Sequence, residues 1–313
     1  MKYLIFILLF CCLNVSAQVS KYYIAANGQQ TTKPNKATSY LLIEKLDQDS
    51  AYLVTQYDML DTIMFKGTYK DSTMKIPHGK FTTYAKFRIP ADYNVFKSTT
   101  DTNTYVSSSG YYLNGLKSGA WVTYYKRGKK SDISYYQDGK LNGLFQAFTK
   151  PDEDLITEGY MVNDKREGIW HMLEKGAYYE AVFENDKLKK KTLVEQNAYP
   201  ENDFLEYVLD KMRRFRQAGQ QQEFYFEATI NSKGEVKDPK VLSEPSPDAD
   251  KTLRIALLHA PRFTAAVKDR VKVEQNVKLR ITFIPPTSKT GRMFITQTLN
   301  ESVKLPHVDS PAN

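Results

Sequence analysis

The feature that most constrains the fold is a repeat with a period of about 24 residues in the middle of the chain. Each repeat unit starts with an aromatic strand signal, passes a two-residue turn signal and a glycine, and reaches a bulky aromatic residue. The glycines are Gly119, Gly143 and Gly168, and the aromatic residues are Trp121, Phe145 and Trp170. Units of this length cannot bury their apolar faces alone. The period therefore predicts stacked units that share one extended sheet.

One unit is predicted to be a β-hairpin followed by a further strand. The chain between Tyr111 and Tyr125 is rich in aromatic residues, and Asn114-Gly115 interrupts it. Asn-Gly accepts positive φ at low cost, so it favours a two-residue hairpin turn. The equivalent turns are expected at Asp138-Gly139 and Asn163-Asp164. The high content of Tyr (22) and Phe (16) also favours strands.

Three segments carry a family resemblance: Asn114 to Trp121, Asp138 to Phe145 and Asp164 to Trp170. Their shared pattern resembles the bacterial variant of the MORN-type repeats, over roughly residues 62 to 190. The resemblance implies an elongated antiparallel sheet with an interaction surface rather than a defined reaction. We place this MORN-like repeat region at 67–194 and expect a β-rich cap at 18–66, because the terminal unit of a repeat sheet must cover an open edge.

The first 17 residues have the features of a signal peptide. Met1-Lys2 supplies a positive start, Tyr3 to Leu13 is apolar, and Val15-Ser16-Ala17 precedes Gln18 as a small-residue cleavage site. This predicts export, with a periplasmic chain after cleavage at Ala17-Gln18. Two alternatives stay open. The leader could remain as a membrane attachment, or Cys11 or Cys12 could be lipidated, although Phe10 before Cys11 is a poor match to the small residue expected there.

Beyond a linker at 195–201, the pattern predicts a small α+β domain at 202–286. A helix over Asp203–Gln217 is followed by strands at Glu223–Ile230 and Val236–Ser243, a second helix at Asp248–His259 and a third strand at Val273–Ile284. We therefore expect two helices packed on a three-stranded antiparallel sheet.

The motifs in this order resemble the TonB C-terminal domain. They are Phe224 to Gly234, Val236 to Val241, Ala249 to Leu253 and Ala260 to Phe263, with the likeness ending at Val277 to Phe283. The chain departs from the family at Phe263, where Trp is usual, at Ala265, where Pro is frequent, and at Asp269, in a stretch where Gly is common. These changes put in doubt any contact specific to that loop in the family.

The resemblance implies a partner-binding strand. TonB proteins take up an extended segment of an outer-membrane transporter at the edge of this small sheet, through main-chain hydrogen bonds. The predicted edge strand consists of Val277, Lys278, Leu279, Arg280, Ile281, Thr282 and Phe283. The tail at 287–313 contains one strand-like run, Met293 to Leu299, which could pair with this edge and occlude it. The sequence leaves that alternative open.

We therefore predict a non-enzymatic adaptor of the cell envelope. An energy transducer of the TonB type is the alternative, although the 13 prolines are scattered rather than gathered in one long span. A hydrolase is less favoured, because the four histidines lack metal-ligand spacing and no nucleophile motif occurs. We expect no cofactor or metal. The net charge of +8 permits contact with an anionic membrane surface, but no nucleic-acid module accompanies it.

Overall fold

A computed structural model describes residues 19–46, 51–86, 104–150, 152–211, 222–243, 247–284, 293–298 and 300–305. The predicted signal peptide and its cleavage site lie outside these residues. The chain forms two compact units. The first comprises Met1–Leu144 with Lys150–Glu153, and the second comprises Phe145–Thr149 with Asp154–Asn313.

The first unit contains an antiparallel meander in which nearly every strand pairs with its neighbour in sequence. Its strands are β1 (Val19–Ala25), β2 (Gln30–Thr31), β3 (Ala37–Leu46), β4 (Ala51–Asp58), β5 (Ile63–Tyr69), β6 (Pro77–Lys86), β7 (Thr104–Leu113), β8 (Leu116–Tyr124), β9 (Lys130–Gln137) and the start of β10 (Lys140–Phe148). They follow the order β2-β1-β3 and then run consecutively to β10. Two short 3₁₀ turns lie at Pro34–Lys36 and Lys126–Gly128. The predicted boundary between the cap and the repeats, at residue 66, falls inside β5.

The predicted hairpin turns are present. Asn114 and Gly115 join β7 to β8 with φ values of 51° and 92°, and Asp138 and Gly139 join β9 to β10 with φ values of 50° and 80°. Two successive residues with positive φ form the turn whose twist matches that of the paired strands. The sequence therefore fixes the register of each hairpin locally.

One face of this meander carries a continuous row of aromatic rings. Phe81 contacts Tyr112, with ring centroids 4.7 Å apart, and Tyr112 contacts Trp121 at 5.2 Å. Gly110 lies beneath Trp121, and a Cβ at this position would overlap the indole ring. The Lys117 ammonium lies 4.3 Å from the centroid of Trp121, and its partial burial lowers the pKa of Lys117. The repeated glycine and aromatic positions thus build the packing between strands.

The second unit continues the repeat pattern from the end of β10. Its long strands are β11 (Leu155–Val162), β12 (Lys165–Glu174), β13 (Ala177–Glu184) and β14 (Lys187–Gln196), and they pair antiparallel in this order. Trp170 is buried between Phe145 and Phe183, with centroid distances of 5.8 and 6.0 Å. Gly159 lies beneath Trp170, as Gly110 lies beneath Trp121. The prediction of an antiparallel, β-rich repeat region is confirmed.

The rest of the second unit contains both helices of the chain's described part. Its elements are β15 (Tyr199–Pro200), α1 (Asn202–Lys211), β16 (Gln222–Ile230), β17 (Val236–Val241), α2 (Pro247–Leu258), β18 (Phe263–Thr264), β19 (Ala266–Lys268), β20 (Val271–Val273), β21 (Gln275–Ile284) and β22 (Met293–Thr298). The core between the helices and the sheet is apolar, and Phe204, Phe226, Leu257 and Leu279 are fully buried in it. No helix within the described residues is long and apolar enough to cross a bilayer.

Two strand predictions need correction. Within the described residues the sheet has four strands in the order β17-β16-β21-β22, whereas the sequence predicted three. The strand predicted at Val273–Ile284 is also interrupted. Val271–Val273 forms β20, which pairs with β19 through a turn at Asp269 and Arg270, and β21 starts only at Gln275. Because β19 pairs with β14 at Val267 and Gln196, this hairpin belongs to a different sheet from β21.

Candidate partner-binding strand

The predicted partner-binding strand is held rigidly on one side. β21 pairs antiparallel with β16 along its length, from Gln275 opposite Ile230 to Phe283 opposite Gln222. Val277 and Leu279 are 0 % exposed and pack into the core below the sheet. Burial of two aliphatic side chains of this size stabilises the strand by roughly 3 to 6 kcal/mol.

The other side of β21 is occupied by the chain's own tail. β22 pairs antiparallel with β21, from Leu279 opposite Thr298 to Ile284 opposite Met293. The prediction that 277–283 is an edge strand is therefore wrong, and the occluded alternative describes the structure. The physical reason is that the tail satisfies the backbone N–H and C=O groups that an open edge would expose. Binding of a partner by these residues stays a prediction.

The predicted site residues lie in three environments. Val277 and Leu279 are in the core, whereas Lys278 is exposed and Arg280 is half-buried. Thr282 is buried, and its hydroxyl donates to Glu223 Oε1 at 3.4 Å. The side chains of the remaining two predicted residues, Ile281 and Phe283, lie outside the described part of the structure.

Asn300 connects the tail to the start of β21. Its side-chain amide donates to the backbone O of Asn276 at 2.8 Å, and its side-chain oxygen accepts the backbone N–H of Lys278 at 3.0 Å. A side-chain amide that uses both its donor and its acceptor on a neighbouring strand replaces two ladder hydrogen bonds. We call this pair of hydrogen bonds the Asn300 clasp.

After the clasp the tail packs against the last repeat strands of the second unit. Val303 and Leu305 are only 6 % and 8 % exposed, and they form an apolar cluster with Tyr178. The Asn197 amide also donates to the backbone O of Glu301 at 2.7 Å. The sequence analysis did not identify these tail residues. Their only sequence signal is the alternation of apolar and polar residues at 303 to 305.

Tyr178, which receives the tail, belongs to a polar network. Its hydroxyl lies 2.6 Å from His171 Nδ1 and 3.4 Å from Glu180 Oε1, to which it donates. The guanidinium of Arg270, from the β19–β20 turn, donates to the other carboxylate oxygen of Glu180. Burial, together with the negative charge of Glu180, raises the pKa of Tyr178 to about 12. In the first unit, a 2.7 Å hydrogen bond to Asp61 raises the pKa of Tyr40 to about 12.

These raised pKa values predict the alkaline limit of stability. An unfolded tyrosine loses its proton near pH 10, whereas the folded phenols hold theirs up to about pH 12. The unfolded state therefore binds fewer protons above pH 10. We expect the free energy of unfolding to be constant just below pH 10 and to fall as pH rises from 10 towards 12.

In Tyr178→Phe, the free energy of unfolding of the second unit should fall less steeply as pH rises from 10 towards 12. The check is urea unfolding between pH 8 and 11.5, followed by Trp170 fluorescence in a Trp121→Phe background. Tyr40→Phe is the matched control, because it removes a similar phenol from the first unit. The expectation would be wrong if the free energy of unfolding fell equally steeply with pH in Tyr178→Phe and in its parent.

No group of three or more His, Cys, Asp or Glu side chains in the described residues is placed to hold a metal ion. The geometry instead offers backbone pairing: a sheet whose outermost strand is contributed by the tail. Comparison of the chain with protein-family models and with curated proteins found no match.

Proposed function

We propose that this chain is a non-enzymatic, periplasmic adaptor of the cell envelope, in which a TonB-like domain binds an extended segment of an outer-membrane transport protein. The MORN-like repeats would supply a second interaction surface. The observation that carries the proposal is the tail strand β22, which already pairs with β21 as a bound segment would.

The order of elements supports the TonB-like reading. Helix α1, the β16–β17 hairpin, helix α2 and strand β21 follow one another as in the resemblance, and the helices share one core with the sheet. A rigid sheet supported in this way loses little entropy when a partner strand pairs with it. This arrangement fits binding by main-chain hydrogen bonds without a deep pocket.

The opposite edge of the sheet is poorly suited to receive a strand. Pro239 lies within β17 and lacks a backbone N–H donor. The pairing of β17 with β16 also contains a bulge near Asp238, whose φ is 48°. A proline cannot donate a hydrogen bond to an added strand, and it therefore protects an edge from pairing. We therefore propose that the partner segment takes the place of β22 rather than adding beside β17.

Exchange of β22 requires that its attachment be modest. β22 pairs with β21 over six residue pairs, and the Asn300 clasp adds two hydrogen bonds. Each hydrogen bond contributes roughly 1 kcal/mol net. A partner that supplies the same backbone bonds and additional side-chain contacts would compete effectively.

The test is binding of fluorescent peptides copied from the periplasmic N-terminal segments of outer-membrane transporters, measured by anisotropy on the mature chain. We expect saturable binding, and we expect Asn300→Ala to raise the affinity by about threefold to tenfold, because it removes the clasp and populates the open sheet. Ser302→Ala is the control, since it changes an exposed tail residue outside the clasp. The proposal fails if a panel of these peptides binds neither the parent nor Asn300→Ala.

A further inference from the structure

A second strand in this chain has an open edge and a strong charge. β14 pairs with β13 between Glu184 opposite Lys187 and Ala177 opposite Gln196, with one extra β14 residue at Lys189 and another at Val194. On its other side, pairing within the described residues begins only near its end. There Gln196 lies opposite Val267, and Val194 O accepts the backbone N–H of Arg270 at 2.9 Å.

The first half of β14 is therefore an unpaired edge in the described structure. In an antiparallel strand, the backbone N–H and C=O groups of successive residues point alternately to the two sides of the strand. One set of residues bonds to the neighbouring strand, and the other set points away from it. The stretch from Lys187 to Leu193 contains one bulge, at Lys189, and the residues from Lys190 to Leu193 follow it without interruption. At about 3.3 Å per residue, the whole stretch has the length of a segment of roughly six residues. We call this stretch the β14 edge.

The charge of the β14 edge is concentrated and positive. Lys187, Lys189, Lys190 and Lys191 are all exposed, on both faces of the strand. Two of them have acidic partners on their own sheet: Lys189 lies 2.6 Å from Glu184, and Lys191 lies 2.5 Å from Glu174. These pairs are exposed and so neutralise the edge only weakly.

Lysine on an edge strand selects which segments can pair with that strand according to their charge. A second copy of this strand would bring lysine opposite lysine, and like charges in directly opposed positions are destabilising. An acidic segment reverses the sign of that interaction and keeps the backbone pairing. Leu188, which is 52 % exposed in the middle of the lysines, offers one apolar contact to such a segment.

We propose that the β14 edge is a docking site for an acidic, extended segment of a partner protein, which adds to the repeat sheet as a further strand. This site is separate from the β21–β22 position. Its partner is selected by opposite charge, whereas the β21 site is controlled by exchange of the tail. The inference does not depend on the proposed transporter partner.

The experiment uses the full mature chain and a labelled ten-residue peptide in which glutamate alternates with valine. Binding is measured by fluorescence anisotropy at 50 and 300 mM salt. We expect binding that weakens at high salt, and about a tenfold or greater loss in the triple variant Lys187→Glu, Lys189→Glu, Lys190→Glu. The same variant should gain affinity for a peptide in which lysine alternates with valine.

Two controls separate strand addition from general charge attraction. The triple variant Lys33→Glu, Lys36→Glu, Lys45→Glu makes the same change of charge at exposed lysines of the first unit and should change the affinity by less than about twofold. A glutamate peptide N-methylated at every residue lacks the donors for pairing on either edge and should not bind. Melting curves confirm that both triple variants are folded.

Three results would overturn the proposal. The first is equal loss of affinity in both triple variants, and the second is equal binding of the N-methylated peptide. The third is a chain that ignores the peptide but binds phosphatidylglycerol vesicles through the same lysines, which would assign the edge to a membrane surface.

Discussion

A disulfide between positions 280 and 297 is expected to abolish binding of the transporter segment, and its reduction is expected to restore binding. Arg280 and Gln297 are opposed residues of β21 and β22. Opposed Cα atoms in antiparallel strands lie roughly 4.5 to 5.5 Å apart, which is within the range that a disulfide spans. The variant Arg280→Cys, Gln297→Cys would therefore fix the tail strand in place. Protein produced from Gln18 onward lacks Cys11 and Cys12 and therefore carries no competing thiol.

The expected loss on oxidation is at least about 100-fold in affinity, because a fixed tail reduces the fraction of open molecules below one in a hundred. Anisotropy titrations with oxidised and reduced protein measure the effect. The matched control is Tyr225→Cys, Arg280→Cys, which shares one substitution but joins β21 to β16, its partner on the other side. Equal affinity of the oxidised and reduced forms of the variant Arg280→Cys, Gln297→Cys would show that the partner does not replace β22.

The second large effect is expected in the repeats. Gly159→Ala should reduce the free energy of unfolding of the second unit by about 3 kcal/mol, because overfilling a packed core forces side chains or strands to move. The added Cβ would overlap the ring of Trp170, which is only 3 % exposed and is enclosed by Phe183 and Ala181. Protein interiors are close-packed, so a ring buried in this way is expected to shift only if its neighbours also move.

Urea unfolding followed by Trp170 fluorescence measures this loss. Gly168→Ala is the control, because its Cβ meets no atom within 4 Å and only its positive φ of 70° is unfavourable. That change should lower the free energy of unfolding by about 1 to 2 kcal/mol.

The middle repeat suggests a rescue, since Ser134 and Phe145 stand at the positions of Gly159 and Trp170. Gly159→Ser with Trp170→Phe should therefore be more stable than Gly159→Ser alone, as measured for both variants by circular dichroism, because the double variant lacks the Trp170 probe. If Gly159→Ala lowers the free energy of unfolding by no more than Gly168→Ala does, the packing argument is wrong.

Local parts of the fold could be predicted from the sequence. Asn114-Gly115 and Asp138-Gly139 specify their turns through backbone preferences of two residues, and the alternation of Val277 and Leu279 places them in the core. The β19–β20 hairpin was missed, because its turn uses Asp269 and Arg270, both with positive φ. Asp and Arg in succession are a weak turn signal compared with Asn-Gly.

The candidate site was predicted less well, because its decisive contacts join distant parts of the chain. The strand-like run of the tail was visible, but strand propensity does not select the partner of a strand. The contacts of Val303 and Leu305 with Tyr178 span more than 100 residues. A single sequence contains no periodic signal for such a contact. The Asn300 clasp could not be predicted from the sequence either, because asparagine is common in loops for many other reasons.

The consecutive strand order has a consequence for how this chain acquires its structure. From β4 to β9, and again from β11 to β14, each strand pairs with the one just before it in the chain. Pairing between neighbours closes only short loops, so we expect each strand to add to the growing sheet as it becomes available, starting from the N-terminal side. The segment from Met293 to Leu305 follows in the chain the strands with which it pairs and packs. A newly made molecule would therefore pass through a state in which β21 is folded but uncovered. In that interval the proposed partner segment would compete with the chain's own tail for the same strand.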